Sequence, residues 1–525
     1  MTTAREEGNS LGKRYIFKLF SNVATVPLYL VLEAVLPRAL GPAMYGNYNF
    51  ATSLFQNFAN FLDMGTSTCL FTAVAKRPGE FGLLSFYARV ALAMLLLCLL
   101  AGLCMFLPGA GEFLLPGIPL WMAVPAALWA YFTWASKTMR GISDALGFTI
   151  HSEFVRVGVN LFSASALLAL FYSGILTLPV LFGHQYLTLG AMAVGYALCL
   201  RGVWRSAETP ETSRSWRLSR ECLTGYLHEF RRYSTPLFFT ALCSVLALSG
   251  ERWMLQTFDG SEQQGFFSLS QKVGTACFLF VSAMTPLLTR ELAVAHGKGD
   301  PQGMARILDT LAPSLYAVSA WLACFTLIEA QTVVRLFGGD QFAVALLPVQ
   351  IMTLYPLHQG YGQIAGAVFY ASGETRLYRN ISIAGLLMGL LCAWILLAPP
   401  ASGKAGESAL LVGGFGLGAA GLAWKMVGVQ FVTVNILLLA CRSIAPFRYW
   451  RNFAHQLLCP AALLLAAAAA RHGTEALLPE MGFFRFLVSG MCYCAFCLIL
   501  ACVFPFLFGL SRDFLRKKFS LLFTR

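Results

Sequence analysis

Apolar runs of about 20 residues recur from one end of the chain to the other, separated by short polar or basic connections. A helix rising 1.5 Å per residue needs about 20 such residues to cross the ~30 Å of bilayer hydrocarbon, so each run reads as a transmembrane helix. The pattern predicts spans at roughly 15–36, 45–74, 84–107, 119–140, 146–172, 179–201, 232–256, 264–289, 307–329, 342–371, 380–398, 409–440, 453–470 and 484–510. The expected fold is an all-α polytopic membrane protein of about fourteen helices.

Several spans carry polar residues at helical spacing. In the second, Asn49, Ser53, Gln56, Asn60 and Asp63 recur at steps of four, three, four and three, on one side of the helix. Each unpaired polar group facing hydrocarbon costs several kcal/mol, so this stripe is expected to face protein or a wet cavity. A related segment opens the eighth span, where Gln264-Gly265-Phe266 parallels Tyr45-Gly46-Asn47 at an offset of 219 residues. That offset aligns Glu33 with Arg252, Asn49 with Ser268, Ser53 with Lys272 and Gln56 with Thr275. Both segments follow a helix ending on the outer side, so the two halves are expected to be parallel repeats. The chain then divides into an N-lobe (1–201, helices 1–6), a basic amphipathic linker (202–231), a C-lobe (232–440, helices 7–12), and two further helices with a basic tail (441–525). The lobes are expected to enclose a central cavity.

Charge fixes the orientation. With the N-terminus in the cytoplasm, 29 of the 38 Lys and Arg residues fall on inner segments and six on outer ones. A bias this large places both termini inside the plasma (inner) membrane. The formal net charge of +13 is therefore explained by topology and lipid headgroups, and no nucleic-acid partner is expected. The first dozen residues are polar, with no small-residue cleavage site after a short apolar core, so no cleaved signal peptide is expected. Most of the 15 cysteines lie in apolar runs. The cluster Cys492, Cys494 and Cys497 has no histidine or carboxylate in register, so no metal site and no resident cofactor are expected.

Three basic residues fall within spans, where each costs at least about 2.5–3.5 kcal/mol at the bilayer centre. Arg156 shares a face with Glu153, Asn160 and Ser163. It reads either as half of an intrahelical pair or as a cavity cation held ready for an anion, and the second is favoured. Lys272 lies on the stripe of Gln264, Ser268 and Thr275. Lys425 follows the run Gly413 to Gly418, in which Gly414 and Gly418 are spaced for close helix packing. Arg252, beside Glu251 at a span end, reads equally as an anchor or a cavity cation. The expected polar lining also includes Asn22 and Glu33 on span one and Gln359 and Gln363 on span ten. A wall of that kind suits sugar hydroxyls and suits a packed helix interface as well.

The stretch Leu36-Pro-Arg-Ala-Leu-Gly-Pro-Ala-Met-Tyr-Gly-Asn-Tyr-Asn49, followed by Phe61-Leu-Asp-Met-Gly65, resembles the amino-terminal signature of polysaccharide-biosynthesis flippases. These are the Wzx-type (O-antigen) exporters of the MOP superfamily, which also holds the MurJ lipid II flippases and the MATE drug exporters. The resemblance implies alternating-access transfer of a polyprenyl-diphosphate-linked glycan between leaflets, with no enzymatic step. Membrane lipids and other glycan-assembly membrane proteins are the implied partners. A coupling ion, proton or sodium, is left open, because no MurJ or MATE cation-site pattern is matched. The alternatives are a MurJ-like lipid II flippase and a MATE-like exporter of organic cations. A cation exporter should carry acidic residues in mid-span, whereas here the mid-span charges are basic. A membrane polymerase or glycosyltransferase would need a sizeable loop, and every outer loop is short.

Overall fold

Among the described residues, each of the fourteen apolar runs is largely α-helical in the computed structural model, which describes residues 11–78, 80–206, 219–400, 413–479 and 482–510. No strand occurs among the described residues. The helices are α1 (Leu11–Asp63), α2 (Thr66–Lys76), α3 (Phe81–Cys104), α4 (Ala123–Ala145), α5 (Thr149–Tyr172), α6 (Leu178–Ser206) and α7 (Arg220–Ser234). They continue as α8 (Phe238–Ala276), α9 (Leu279–Gly297), α10 (Pro301–Ile328), α11 (Ala330–Gly338), α12 (Leu346–Met352), α13 (Tyr355–Ser372), α14 (Thr375–Leu397), α15 (Gly418–Cys441), α16 (Tyr449–Leu477) and α17 (Gly482–Val503). Seven of them (α3, α5, α10, α14, α15, α16 and α17) are long and apolar enough to cross a membrane by length and composition alone. The remaining spans are broken by turns or carry the polar stripes. On α3 the logic of a lipid solvent is plain. Leu92, Leu96, Leu100 and Leu103 point outward, while Met94, Cys98 and Gly102 point inward, where a Cβ on Gly102 would lie 3.2 Å from Ala127 on α4.

The internal repeat extends to the backbone. α1 kinks at Gly41 (φ 73°, ψ 168°) and α8 at Gly260 (φ 78°, ψ −173°), again 219 residues apart. This extended, positive-φ conformation is essentially confined to glycine, because a Cβ would meet the neighbouring carbonyl. Each kink ends one span and starts the next. Later positive-φ glycines recur in the same order: Gly117 and Gly339 precede 3-10 turns (Leu120–Met122 and Asp340–Ala345). Gly147 and Gly373 join α4 to α5 and α13 to α14, and Gly174 and Gly416 precede α6 and α15. The offset grows from 219 to 242 along this series because the second half has longer connections.

The chain forms two compact units, Met1–Gly265 and Phe266–Arg525, dividing within α8 five residues beyond its kink. In the first unit, the second half of α1 runs antiparallel to the first half of α8. A Cβ on Gly46 would strike the Ser261 carbonyl and lie 2.7 Å from the Gly265 nitrogen, and one on Gly265 would strike the Pro42 carbonyl. The two glycines that define the repeat offset therefore pack backbone to backbone. Farther along the same pair of helices, Asn57 Nδ2 donates to Ser249 Oγ at 3.2 Å. In the second unit, α16 and α17 dock on α10. Tyr316 donates to the Gln456 carbonyl (2.8 Å), Tyr493 to the Trp321 carbonyl (2.9 Å), and Ser489 to buried Glu329 (2.8 Å). Buried alanines on α10 and α16 (Ala317, Ala320, Ala323, Ala466, Ala467 and Ala470) let these helices approach closely.

The glycine run before Lys425 does something other than pack one helix on another. Residues 413–417 are not helical. The amides of Gly414, Phe415, Gly416 and Leu417 donate to the carbonyls of Pro399, Ile395, Ala398 and Leu396 at 2.9–3.1 Å. They satisfy the carbonyls that the end of α14 leaves without partners, and glycine lets the chain lie against that end. Gly414 could not carry a side chain, since its Cβ would sit 2.6 Å from two of those carbonyl oxygens.

Candidate functional site

The densest charge cluster within the membrane-spanning part of the first unit is built on the α4–α5 hairpin. Arg140 lies seven residues before Gly147 and Glu153 six after it, so the turn brings the two side chains level. Glu153 is fully buried, and Arg140 Nη2 reaches its Oε1 at 2.5 Å. Arg156, one turn further along α5, places Nε at 2.7 Å and Nη2 at 2.5 Å from Oε2. Its Nη1 donates to Thr25 Oγ1 on α1 at 3.4 Å. Two guanidinium groups thus share one carboxylate and leave the trio with a net charge of +1. The carboxylate is sealed from water, while Arg156 keeps 14% and Arg140 29% of its side-chain surface exposed. Arg140 Nε is buried without a hydrogen-bond partner. Buried Tyr196 on α6 lies within electrostatic range of all three and of Asp144, the next carboxylate along α4.

The spacing along α5 pairs Glu153 with Arg156, whereas Arg140, at the end of α4, is one of the 29 Lys and Arg residues assigned from the sequence to inner segments. The usable signal was its near-equal distance from the Gly147 turn. Below the cluster the polar stripe of α5 becomes a packing device. Thr188 donates to Ser163 Oγ at 3.0 Å, and His184 Nε2 lies 3.0 Å from the Ser163 carbonyl, tying α5 to α6. Asn160 is half-buried.

On α1, most of the predicted stripe satisfies itself along its own helix. Asn49 donates to the Tyr45 carbonyl (2.8 Å), Ser53 to that of Phe50 (2.9 Å), and Gln56 to Asn60 Oδ1 (3.2 Å). Asn49, Ser53 and Gln56 are half-buried and Asn60 is exposed, while the Gln56 Oε1 atom itself is buried without a hydrogen-bond partner. Asp63 has another task. Its carboxylate accepts from Thr66 Oγ1 (3.0 Å), the Ser67 amide (3.1 Å), Ser67 Oγ (2.8 Å) and Trp134 Nε1 (2.9 Å). It caps α2 across the turn of Met64 (φ 40°) and Gly65 (φ 79°), which accounts for an Asp-x-Gly ending.

Glu33 is buried, and Tyr45 donates to its Oε2 at 3.4 Å. Arg252 is half-buried beside buried Glu251, within electrostatic range of Tyr45. The side chain of Asn22 lies outside the described residues. In the second unit, Ser268 is buried, Lys272 half-buried, and Thr275 exposed with its hydroxyl on the Gln271 carbonyl (2.7 Å). Lys425 is buried on α15. Gln359 accepts from Gln430 on α15 (2.6 Å) and Gln363 from Thr285 on α9 (2.5 Å), so the polar wall of span ten includes helix-to-helix ties. No group of three or more potential metal ligands occurs among the described residues.

The architecture has relatives among solved structures. One described as lipid II flippase MurJ, inward closed conformation, matches with a TM-score of 0.65 at 11% identity, covering 93% of this chain and 98% of that one. An inward-facing multidrug resistance MATE family transporter of the MOP superfamily gives 0.58 at 14% identity, covering 82% and 98%. A MOP superfamily transporter from Pyrococcus furiosus gives 0.54 at 16% identity, covering 82% and 95%. At such identities the likeness establishes the fold. Among curated protein sequences there is no significant match. The family described as polysaccharide biosynthesis protein matches residues 11–288, just over half of the chain. With its repeat, its kinked helices and its fold, the chain belongs to the polysaccharide biosynthesis protein family.

Proposed function

We propose that this protein is a flippase that carries a polyprenyl-diphosphate-linked oligosaccharide from the cytoplasmic to the outer leaflet of the inner membrane. The observation that carries this reading is the Arg140–Glu153–Arg156 cluster. Isolating such a trio from water is expensive, and well-packed apolar side chains of similar volume would serve stability as well or better. Two guanidiniums that reach water around one sealed carboxylate can turn N–H donors outward, which is what a diphosphate needs along a path through hydrocarbon. Family membership supports a glycan as the cargo, and the MOP-type fold supports transport by alternating access.

In this reading Arg140 and Arg156 hold the diphosphate from the N-lobe, and Lys272, Arg252 and Lys425 are the further cations offered to it. Asn49, Ser53, Gln56 and Asn60 meet sugar hydroxyls, while the polyprenyl chain stays in lipid. Both termini face the cytoplasm, and the lobes 1–201 and 232–440 move about the linker. Net export requires an energy source, because binding alone only equilibrates the leaflets. An organic-cation exporter is disfavoured because the charges within the predicted spans, Arg156, Lys272 and Lys425, are mainly basic. The test is restoration of surface glycan in cells lacking the gene. The parent chain should restore it, and Arg140→Gln with Arg156→Gln should not, at equal membrane abundance. Restoration by the double variant would refute the assignment.

A further inference from the structure

A second basic site lies far along the chain from the arginine cluster, where α2 meets the linker helix α7. α7 is amphipathic: Tyr226, Phe230 and Ser234, four residues apart, are buried, and the rest of its surface is largely exposed. Phe230 packs on Phe86 and Tyr87 of α3, with ring centroids 5.1 and 5.9 Å apart. Polar contacts pin the same helix. Arg77 grips Glu229 with Nη2 at 2.7 and 2.9 Å from the two oxygens, and its Nη1 lies 3.2 Å from Glu80. The Tyr226 hydroxyl donates to Glu80. Burial, reinforced by that carboxylate, pushes the Tyr226 phenol above its ordinary value, so it remains a donor at physiological pH.

Between the docked helices lies a cavity of about 380 Å³, within the size range of small-ligand sites. Cys69 and Ala73 form its buried floor, and Thr72, Lys76, Arg232 and Tyr233 line it. Glu229 also borders it, but its carboxylate is engaged by Arg77. Lys76 and Arg232 have no ion-pair partner among the described residues, and five charged side chains (Lys76, Arg77, Arg232, Glu80, Glu229) sum to +1. Phe71, Leu237, Phe238 and Phe239, adjacent in sequence to the lining residues or a few positions on, are exposed apolar groups. Cations and hydroxyls in a cavity beside exposed aromatic and aliphatic groups match the two ends of a lipid at the depth of its headgroup.

We propose that this groove binds the phosphate of an anionic phospholipid headgroup, with Lys76 and Arg232 on the phosphate oxygens and the acyl chains along Phe71 and Leu237. The basic bias puts this face in the cytoplasm, so the lipid is one of the inner leaflet. α7 would then be held from two sides, by Arg77 and by the lipid. The site is separate from the arginine cluster, and its test reads lipid association instead of transport, so it can fail while the flippase reading stands.

The test places a photocrosslinking residue in the groove, Tyr233→p-benzoylphenylalanine, in the full chain reconstituted in vesicles of equimolar phosphatidylglycerol and phosphatidylcholine. Mass spectrometry of the adducts then gives the ratio of the two lipids. A headgroup gains roughly fivefold for each nearby cation, so an enrichment of about fivefold or more in phosphatidylglycerol is expected. Lys76→Gln with Arg232→Gln should bring the ratio close to one. The same crosslinker at exposed Leu391 on α14 should show no preference in either background. Equal capture of both lipids at 233, or unchanged enrichment in the double variant with a native elution profile, would overturn the proposal. So would loss of the enrichment on adding inorganic phosphate but not chloride at matched ionic strength, since the site would then be one for a free anion.

Discussion

Replacing Glu153 by glutamine keeps its shape and removes one charge, and the buried cluster makes a specific prediction about the result. The carboxylate accepts short charged bonds from Arg140 and Arg156 and is fully buried. Without it, the two guanidiniums that flank it repel by on the order of a few kcal/mol at an effective dielectric of ~20. The charge-assisted bonds, about 1.5–3 kcal/mol each, are weakened at the same time. Glu153→Gln should therefore destabilise by about 3–5 kcal/mol, the range for breaking a buried ion pair from one side. Arg156→Gln leaves Glu153 paired with Arg140 and should cost about 1–3 kcal/mol, and Arg140→Gln should behave alike. The ordering carries the argument. Glu153→Gln combined with Arg156→Gln leaves one half-exposed cation that can hydrate, so the double variant should be more stable than Glu153→Gln alone. The assay is reversible unfolding of purified protein in mixed micelles with increasing SDS. If Glu153→Gln is no worse than Arg156→Gln, or if the two substitutions simply add, the trio does not function as a charge-balanced unit.

Further consequences follow from the backbone and the caps. Gly41→Ala and Gly260→Ala should each destabilise by about 1–3 kcal/mol, because both residues occupy a region that only glycine adopts at low cost; comparable midpoint shifts for the two would support the repeat at this level. Gly46→Ala should strongly reduce monodisperse yield, since its Cβ would strike the α8 backbone, whereas Gly183→Ala, with open space around it, should not. Asp63→Ala should lower the thermal midpoint by an amount corresponding to about 1 kcal/mol, the usual worth of a side-chain cap at a helix N-terminus. A double-mutant cycle over Arg77→Gln and Glu229→Gln should give a coupling below about 1 kcal/mol that falls with salt, because both side chains are well exposed.

Much of the fold was legible in the sequence because a lipid solvent leaves so few choices: the apolar runs and the 219-residue echo at Gly46 and Gly265 each follow from one physical demand. Local chemistry was harder to read. Asp63 shares a stripe with Asn49 and Gln56, and nothing in the spacing says that it turns back to cap α2. The run from Gly413 to Gly418 looks like a helix-packing motif because glycine serves close approach and chain reversal equally well, and only the carbonyls at the end of α14 decide between them. Arg140 was hidden by its position at a helix end, where a cation is ordinarily inexpensive. Its role depends on the depth of its partner Glu153, a property of the hairpin that composition does not carry.

In the proposed function, a polyprenyl-diphosphate-linked glycan crosses the membrane through this protein because fixed cations meet its diphosphate. The most direct measurement reconstitutes the full chain in vesicles that hold such a lipid in one leaflet and follows its exposure to an impermeant lectin on the other side. Downhill equilibration needs no energy source, so the readout is independent of coupling. Equilibration should run well above that of protein-free vesicles, with none above background for the same glycan on an uncharged polyprenyl ether. Failure to move the diphosphate lipid, or equal movement of the uncharged one, would contradict it.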